Sequence, residues 1–247
     1  MQLNELKTIY NKFAAKRGQI AVLIDPDKYR NLDELAALLK KVSFAGVDYL
    51  FVGGSTVSQQ DFQTVVHFIT ENSDLPLVIF PGGSHQISEK ADALLYLSLI
   101  SGRNPDYLIG HHVQSAQEVF TMDIEVIPTG YILVDGGNLS SVAYVSQTTP
   151  IPRDHHSIIL NTARAGILQG KKLIYLDAGS GAKHSVPVSV IAELSSLPVP
   201  IIVGGGIRSL KKMDALRSAG AHVIVIGNRL EEDLDFLLDI REFKLSN

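Results

Sequence analysis

The sequence predicts a parallel (β/α)8 barrel of the TIM type, built as one domain over residues 1–247. Three observations predict it. Eight short apolar runs alternate with segments of helical spacing, the order that makes a parallel sheet with helices outside. The last three runs end in small-residue turns, Asp177 to Gly181, Gly204-Gly205-Gly206 and Gly227-Asn228, where such barrels carry their phosphate sites. A length of 247 residues suits one barrel. An open doubly wound sheet is the alternative, but no GxGxxG opens a helix after the first run.

Taken in order, Leu3, Leu6, Ile9, Tyr10 and Phe13 recur at helical spacing, and Lys16-Arg17-Gly18 stop that helix. Ile20 to Ile24 is the first strand, a continuous apolar run suited to a sheet covered on both faces. Asn31 with Glu34 opens a helix that runs to about Phe44 and ends at Gly46. Tyr49 to Val52 is the second strand, and Ser58 with Asp61 opens a helix to about Thr70. Leu77 to Phe80 and Ala93 to Leu97 are the third and fourth strands. The stretch between them, Pro81 to Asp92, is too short for two loops and a full crossover helix, so the third helix is missing or reduced.

A helix follows from about Asp106 to Phe120. The fifth strand, Val126 to Leu133, is disturbed by Pro128 and Gly130. Ser140 to Gln147 is a short helix, Pro150 to Arg153 breaks the chain, and Ile158 to Leu168 is a helix stopped near Gly170. Leu173 to Leu176, Ile201 to Val203 and Val223 to Ile226 are the last three strands. Helices follow them near Val188 to Ser195, Ser209 to Ser218 and Glu231 to Ile240.

A formal net charge of -4 without a long basic run argues against nucleic acid as a partner. The absence of cysteine excludes disulfides and thiolate metal sites and fits a cytosolic (cytoplasmic) enzyme. The first 18 residues lack the apolar core of a signal peptide, and no run has the length of a transmembrane segment. HExxH, GxSxG and P-loop motifs are absent, which disfavours zinc hydrolysis, serine hydrolysis and ordinary ATP use.

Barrel geometry gathers the βα loops on one face. There the glycines after the sixth, seventh and eighth strands form a cup whose backbone N–H groups suit an anion. Tyr175 and Asp177 sit at its mouth, placed to hold hydroxyl groups. Asp25 reaches the same face and has two readings: a carboxylate that caps its own loop, or a magnesium ligand with Ser55 adding an oxygen and Asp27 as a rival. Lys28 and Arg103 each read as a phosphate contact or as a solvated loop side chain. His111 and His112 are adjacent, do not share a helix face and read as structural or polar-lining, not as a metal pair.

The stretches IDPDK (24–28), FVGGS (51–55), SGRNPDYLIGHHVQSA (101–116), YLDAGSGA (175–182), PIIVGGGI (200–207) and VIVIGN (223–228) resemble the geranylgeranylglyceryl phosphate synthase family. The resemblance is nearest to its second group, with archaeal and some bacterial members, and covers nearly the whole chain in order. It implies a barrel with a modified third helix and a homo-oligomeric assembly. The implied enzyme is a magnesium-dependent prenyltransferase that joins sn-glycerol 1-phosphate to geranylgeranyl diphosphate by an ether bond.

By the same resemblance Asp25 and Ser55 match the Mg²⁺ positions. Tyr175, Leu176, Asp177, Ala178, Gly179, Ser180, Gly181, Gly205, Gly206, Gly227 and Asn228 match the glycerol phosphate site. Asp177 and Tyr175 are then the catalytic candidates, Asp177 orienting the glycerol and accepting its hydroxyl proton. Two departures stand out: Leu23 where first-group relatives carry lysine, and Asp177 where many carry glutamate. The first leaves the basic partner of the diphosphate to Lys28 or Arg103. The reduced third helix leaves an apolar groove for the prenyl tail beside Phe80, Leu95, Leu97 and Leu99. Two other classes share the glycine loops: a sugar-phosphate isomerase or aldolase, and a phosphometabolite-binding protein without turnover.

Overall fold

The computed structural model describes residues 8–245. The expected contributions of Leu3 and Leu6 to the first helix lie outside the described residues. Eight parallel strands close into a barrel in sequence order. They are β1 (Gln19–Ile24), β2 (Tyr49–Val52), β3 (Leu77–Ile79), β4 (Ala93–Leu99), β5 (Glu125–Leu133), β6 (Leu173–Asp177), β7 (Ile201–Gly204) and β8 (Val223–Ile226). Pairing of Gln19 with Val223 and of Val22 with Ile226 joins the ends of the sheet.

The strands are apolar runs because the barrel wall is covered on both faces. On β6, Leu173 and Tyr175 pack inside the barrel, and Ile174 and Leu176 pack outward beneath the helices. Around this wall lie α1 (Ile9–Ala15), α2 (Leu32–Ala45), α3 (Gln59–Asn72), α4 (His111–Thr121), α5 (Ser141–Ser146), α6 (His156–Leu168), α7 (Val188–Leu194) and α8 (Leu210–Ala219). Asn31, Ser58, Ser140 and Ser209 cap α2, α3, α5 and α8 by accepting a backbone N–H, replacing partners that a helix start lacks. Phe13 of α1 closes the bottom of the barrel, its ring 4.9 Å from that of Tyr49.

Between β3 and β4 no helix occurs among the described residues, as the short spacing requires. The connection is pinned instead by buried Gln86. Its Nε2 donates to the Gly54 carbonyl at 2.8 Å, and its Oε1 accepts from Gly82 N at 3.0 Å. This side chain ties the loop after β3 to the loop after β2.

Three expectations are corrected. The helix expected from Asp106 begins as a π-helical turn, Asp106–Gly110, before α4. Pro128 and Gly130 do not disturb β5, which pairs with β4 without a break from Glu125 to Tyr131. The bare Gly130 instead leaves room for Ile100 and Ile174, whose Cδ1 atoms lie 2.9 and 3.0 Å from where a Cβ would be. The last helix is two, α9 (Asn228–Glu232) and α10 (Phe236–Leu245). Asp233 takes an extended conformation and its carboxylate accepts from Asp235 N at 2.9 Å, a local turn that competes with helix continuation.

Candidate active site

One cavity opens at the C-terminal ends of the strands. Its rim includes Gly179, Ser180 and Gly181 after β6, Gly205 and Gly206 after β7, and Gly227 and Asn228 after β8. The cup expected from the glycines is therefore one surface. Gly205 shows why a bare backbone is needed. Its φ is +77°, and a Cβ there would lie 2.5 Å from Asp177 Oδ1 and 2.7 Å from Ala178 N. Asn228 ties the third wall to the first: its Oδ1 accepts from Gly181 N at 2.8 Å and from Ser180 Oγ at 3.1 Å.

Asp177 is the last residue of β6 and is buried. Its Oδ2 accepts from the Tyr131 hydroxyl at 2.6 Å and its Oδ1 from Gly179 N at 2.8 Å. Burial pushes its carboxyl above the usual range; the Tyr131 hydroxyl and the N–H groups of Gly179 and Ala178 pull it partly back. Tyr131 was not singled out from the sequence. It stands on β5, 46 positions away, and only the β5–β6 register brings it to Asp177. Tyr175 stacks on Phe80 at 4.8 Å between centroids and meets Tyr131 edge-on at 5.6 Å. These three rings and Asp177 form the cavity floor. Burial and then Asp177 hold both phenols well above their usual pKa.

On the far side, Asp25, Gly53, Gly54 and Ser55 line the cavity. Asp25 caps its own loop and also stands in the cavity lining. Its Oδ1 accepts from Asp27 N at 3.1 Å, capping the 3-10 turn Pro26–Lys28, and the carboxylate still borders the cavity. Burial raises its pKa, and the Asp27 and Glu231 carboxylates raise it further, so an added cation would relieve a crowded negative charge. The rival Asp27 is engaged elsewhere, accepting from Thr56 Oγ1 at 2.8 Å, and is not part of the lining. Among the described residues no three His, Cys, Asp or Glu side chains gather as a metal cluster. The donor set that is present, one carboxylate with a hydroxyl, fits a magnesium ion completed by phosphate oxygens and water.

Four of the expected site residues lie off this surface. Leu176 and Ala178 pack outward under the helices. Lys28 is exposed outside the cavity, and exposed Arg103 turns back so that its Nη1 donates to the Gly102 carbonyl at 2.6 Å. The arginines that line the cavity are Arg208 and Arg229, which the sequence reading passed over. Their signal was position, immediately beyond the second and third glycine walls.

From the floor the cavity continues outward across the uncovered β3–β4 side, past Leu94, Tyr96, Leu97, Leu99, Tyr107 and Ser115. Of the groove residues expected there, Phe80, Leu97 and Leu99 line it, while Leu95 is closed inside the barrel. His112 is a structural lining residue as expected. Its Nε2 pairs with the Leu97 carbonyl at 2.7 Å, its ring lies 4.2 Å from Tyr96, and burial lowers its pKa.

Residues 13–244 match the model of the PcrB family. A geranylgeranylglyceryl phosphate synthase from Chitinophaga pinensis is 46% identical over 239 residues, 95% of this chain and 94% of that one. One from Korarchaeum cryptofilum is 39% identical over 235 residues, 93% and 94% of the two chains. The crystal structure of (S)-3-O-geranylgeranylglyceryl phosphate synthase from Thermoplasma acidophilum, in complex with substrate sn-glycerol-1-phosphate, superposes with a TM-score of 0.87. It is 33% identical and covers 96% of each chain.

Proposed function

The chain belongs to the PcrB family, and from that premise we propose that it joins sn-glycerol 1-phosphate to geranylgeranyl diphosphate, forming geranylgeranylglyceryl phosphate and releasing diphosphate. The observation that carries the reading is one continuous cavity. It runs from a glycine-walled cup, over a floor of Asp177, Tyr131, Tyr175 and Phe80, into an apolar groove. A sugar-phosphate isomerase or aldolase has use for the cup but none for the groove.

The phosphate of glycerol phosphate occupies the cup. Gly227 supports this: a Cβ there would meet nothing nearer than Leu23 Cβ at 3.7 Å, so its bareness serves a ligand more than the fold. The glycerol C3 hydroxyl reaches the floor and attacks C1 of the allylic diphosphate. A carbon–oxygen bond forms there, the bond from C1 to the diphosphate oxygen breaks, and Asp177 takes the hydroxyl proton. Its raised pKa makes Asp177 a better proton acceptor than a solvated aspartate. The rings of Tyr131, Tyr175 and Phe80 offer electron-rich surfaces to the cationic character that develops on the allylic carbon.

Asp25 and Ser55 would hold a magnesium ion at the diphosphate end. When bound, such an ion neutralises charge on the leaving group. The prenyl tail lies in the groove, where each buried CH₂ contributes roughly 0.8 kcal/mol.

The chain acts as a homo-oligomer in the cytosol. Val113 and Phe120, seven residues apart on α4, are 69% and 91% exposed, apolar positions on one helix that a second copy can cover. No described helix is long and apolar enough to cross a membrane. Crystals soaked with sn-glycerol 1-phosphate and an unreactive prenyl thiodiphosphate test the reading. Phosphate in the cup and tail in the groove are expected; a tail bound elsewhere refutes it.

A further inference from the structure

Part of the cup's donor set is already engaged. Gly179 N is spent on Asp177 and Gly181 N on Asn228, each at 2.8 Å. The carboxylate residues lining the cavity are Asp25, Asp177 and Glu231, and the arginines in the same lining are Arg208 and Arg229. A phosphate dianion entering this cup meets those carboxylates, and an arginine beside it offsets their charge.

Arg229 is fixed. Its Nη2 donates to Asp233 at 2.8 Å and its guanidinium lies 5.0 Å from the Phe236 ring centre. Arg208, two residues beyond Gly206, is held differently. Its Nη1 alone bridges both oxygens of Glu232, each at 2.9 Å. Its other nitrogens donate no hydrogen bond among the described residues, and the two side chains are 47% and 50% exposed. Such an exposed pair is weakly held, whereas a guanidinium on phosphate makes two parallel charge-assisted bonds.

Resting on the glycerol phosphate site proposed above, we infer that Arg208 is a phosphate clamp. Glu232 holds it aside in the free chain, and it exchanges onto the phosphate on binding. The loop after β7 then closes on the ligand while α9 is released from it.

Calorimetric titration of the intact protein with sn-glycerol 1-phosphate, and with inorganic phosphate as a second probe, tests this in R208Q, R208K and E232Q. R208Q is expected to bind about ten- to a hundred-fold more weakly, with R208K intermediate because a point charge replaces the fork. E232Q is expected to bind about two- to five-fold more tightly, since it removes the competing partner. A pair that merely shapes the loop would make R208Q and E232Q weaken binding together, and that result overturns the clamp. So does equal affinity in all variants. Should R208Q fail to fold, the opposite signs expected for R208K and E232Q carry the same test. A parent protein that binds neither probe instead refutes the glycerol phosphate site itself.

Discussion

Replacing Tyr131 with Phe removes one oxygen and leaves the ring against Phe80 and Tyr175, so packing of the floor is kept. What is lost is the 2.6 Å bond to Asp177 Oδ2. A buried carboxylate deprived of a charge-assisted donor costs about 1.5–3 kcal/mol. For a chain of this size that lowers Tm by roughly 3–12 °C near neutral pH. The pH dependence has a definite sign. Burial already holds the folded pKa of Asp177 above its unfolded value, so its contribution to stability is full in acid and lost as pH rises through the folded pKa. The Tyr131 hydroxyl opposes that shift, so its removal raises the folded pKa further and prolongs the loss to higher pH. The gap between parent and variant is therefore smallest in acid, where both carry a protonated Asp177, and widens with pH. Urea unfolding across a pH series measures it. The acid limb of kcat should move upward in pH as well, because the proton acceptor must be ionised. A destabilisation independent of pH, with an unmoved kcat profile, would refute the coupling between these two residues.

Asp25→Asn keeps the acceptor for Asp27 N and removes a charge crowded by Asp27 and Glu231. With chelator present its Tm should match or exceed the parent's, by a margin that grows with pH because the raised Asp25 pKa costs the parent stability as it ionises; the Tm rise on adding Mg²⁺ should vanish. Leu97→Trp narrows the groove beside the floor and should reduce kcat/KM progressively from C10 to C15 to C20 diphosphates; an equal loss at all lengths would indicate damaged packing instead. The double variant Val113→Glu and Phe120→Glu should give 26.9 kDa monomers by light scattering, where the proposed assembly makes the parent larger; a monomeric parent would refute that assembly.

The fold was legible where local chemistry decides it. Runs such as Tyr49 to Val52 and Val223 to Ile226 coincide with β2 and β8, and Ser58 and Gly46 stand at the helix ends they were expected to mark. The missing helix followed from the shortness of the stretch from Pro81 to Asp92, but its substitute did not. Nothing in a polar loop distinguishes Gln86 until the two loops it joins are side by side. The last helix was misread because periodicity hides an Asp233 that prefers its own turn.

The same division holds in the site. Glycines announce the cup, since few other residues accept its backbone angles. Tyr131, Arg208 and Arg229 depend on strand register and on loop direction, which no short window of sequence contains. Arg103 and Lys28 carried the right charge in the right kind of loop, yet neither lines the cavity.

The central claim is tested most directly by one measurement: turnover of labelled geranylgeranyl diphosphate by the purified protein with Mg²⁺, offered sn-glycerol 1-phosphate or its sn-glycerol 3-phosphate enantiomer. An ether-linked, phosphatase-sensitive lipid is expected with the first acceptor, little with the second, and none from Asp177→Ala. Labelled lipid formed equally well without the Asp177 carboxylate, or no lipid from the parent with either acceptor, would contradict it.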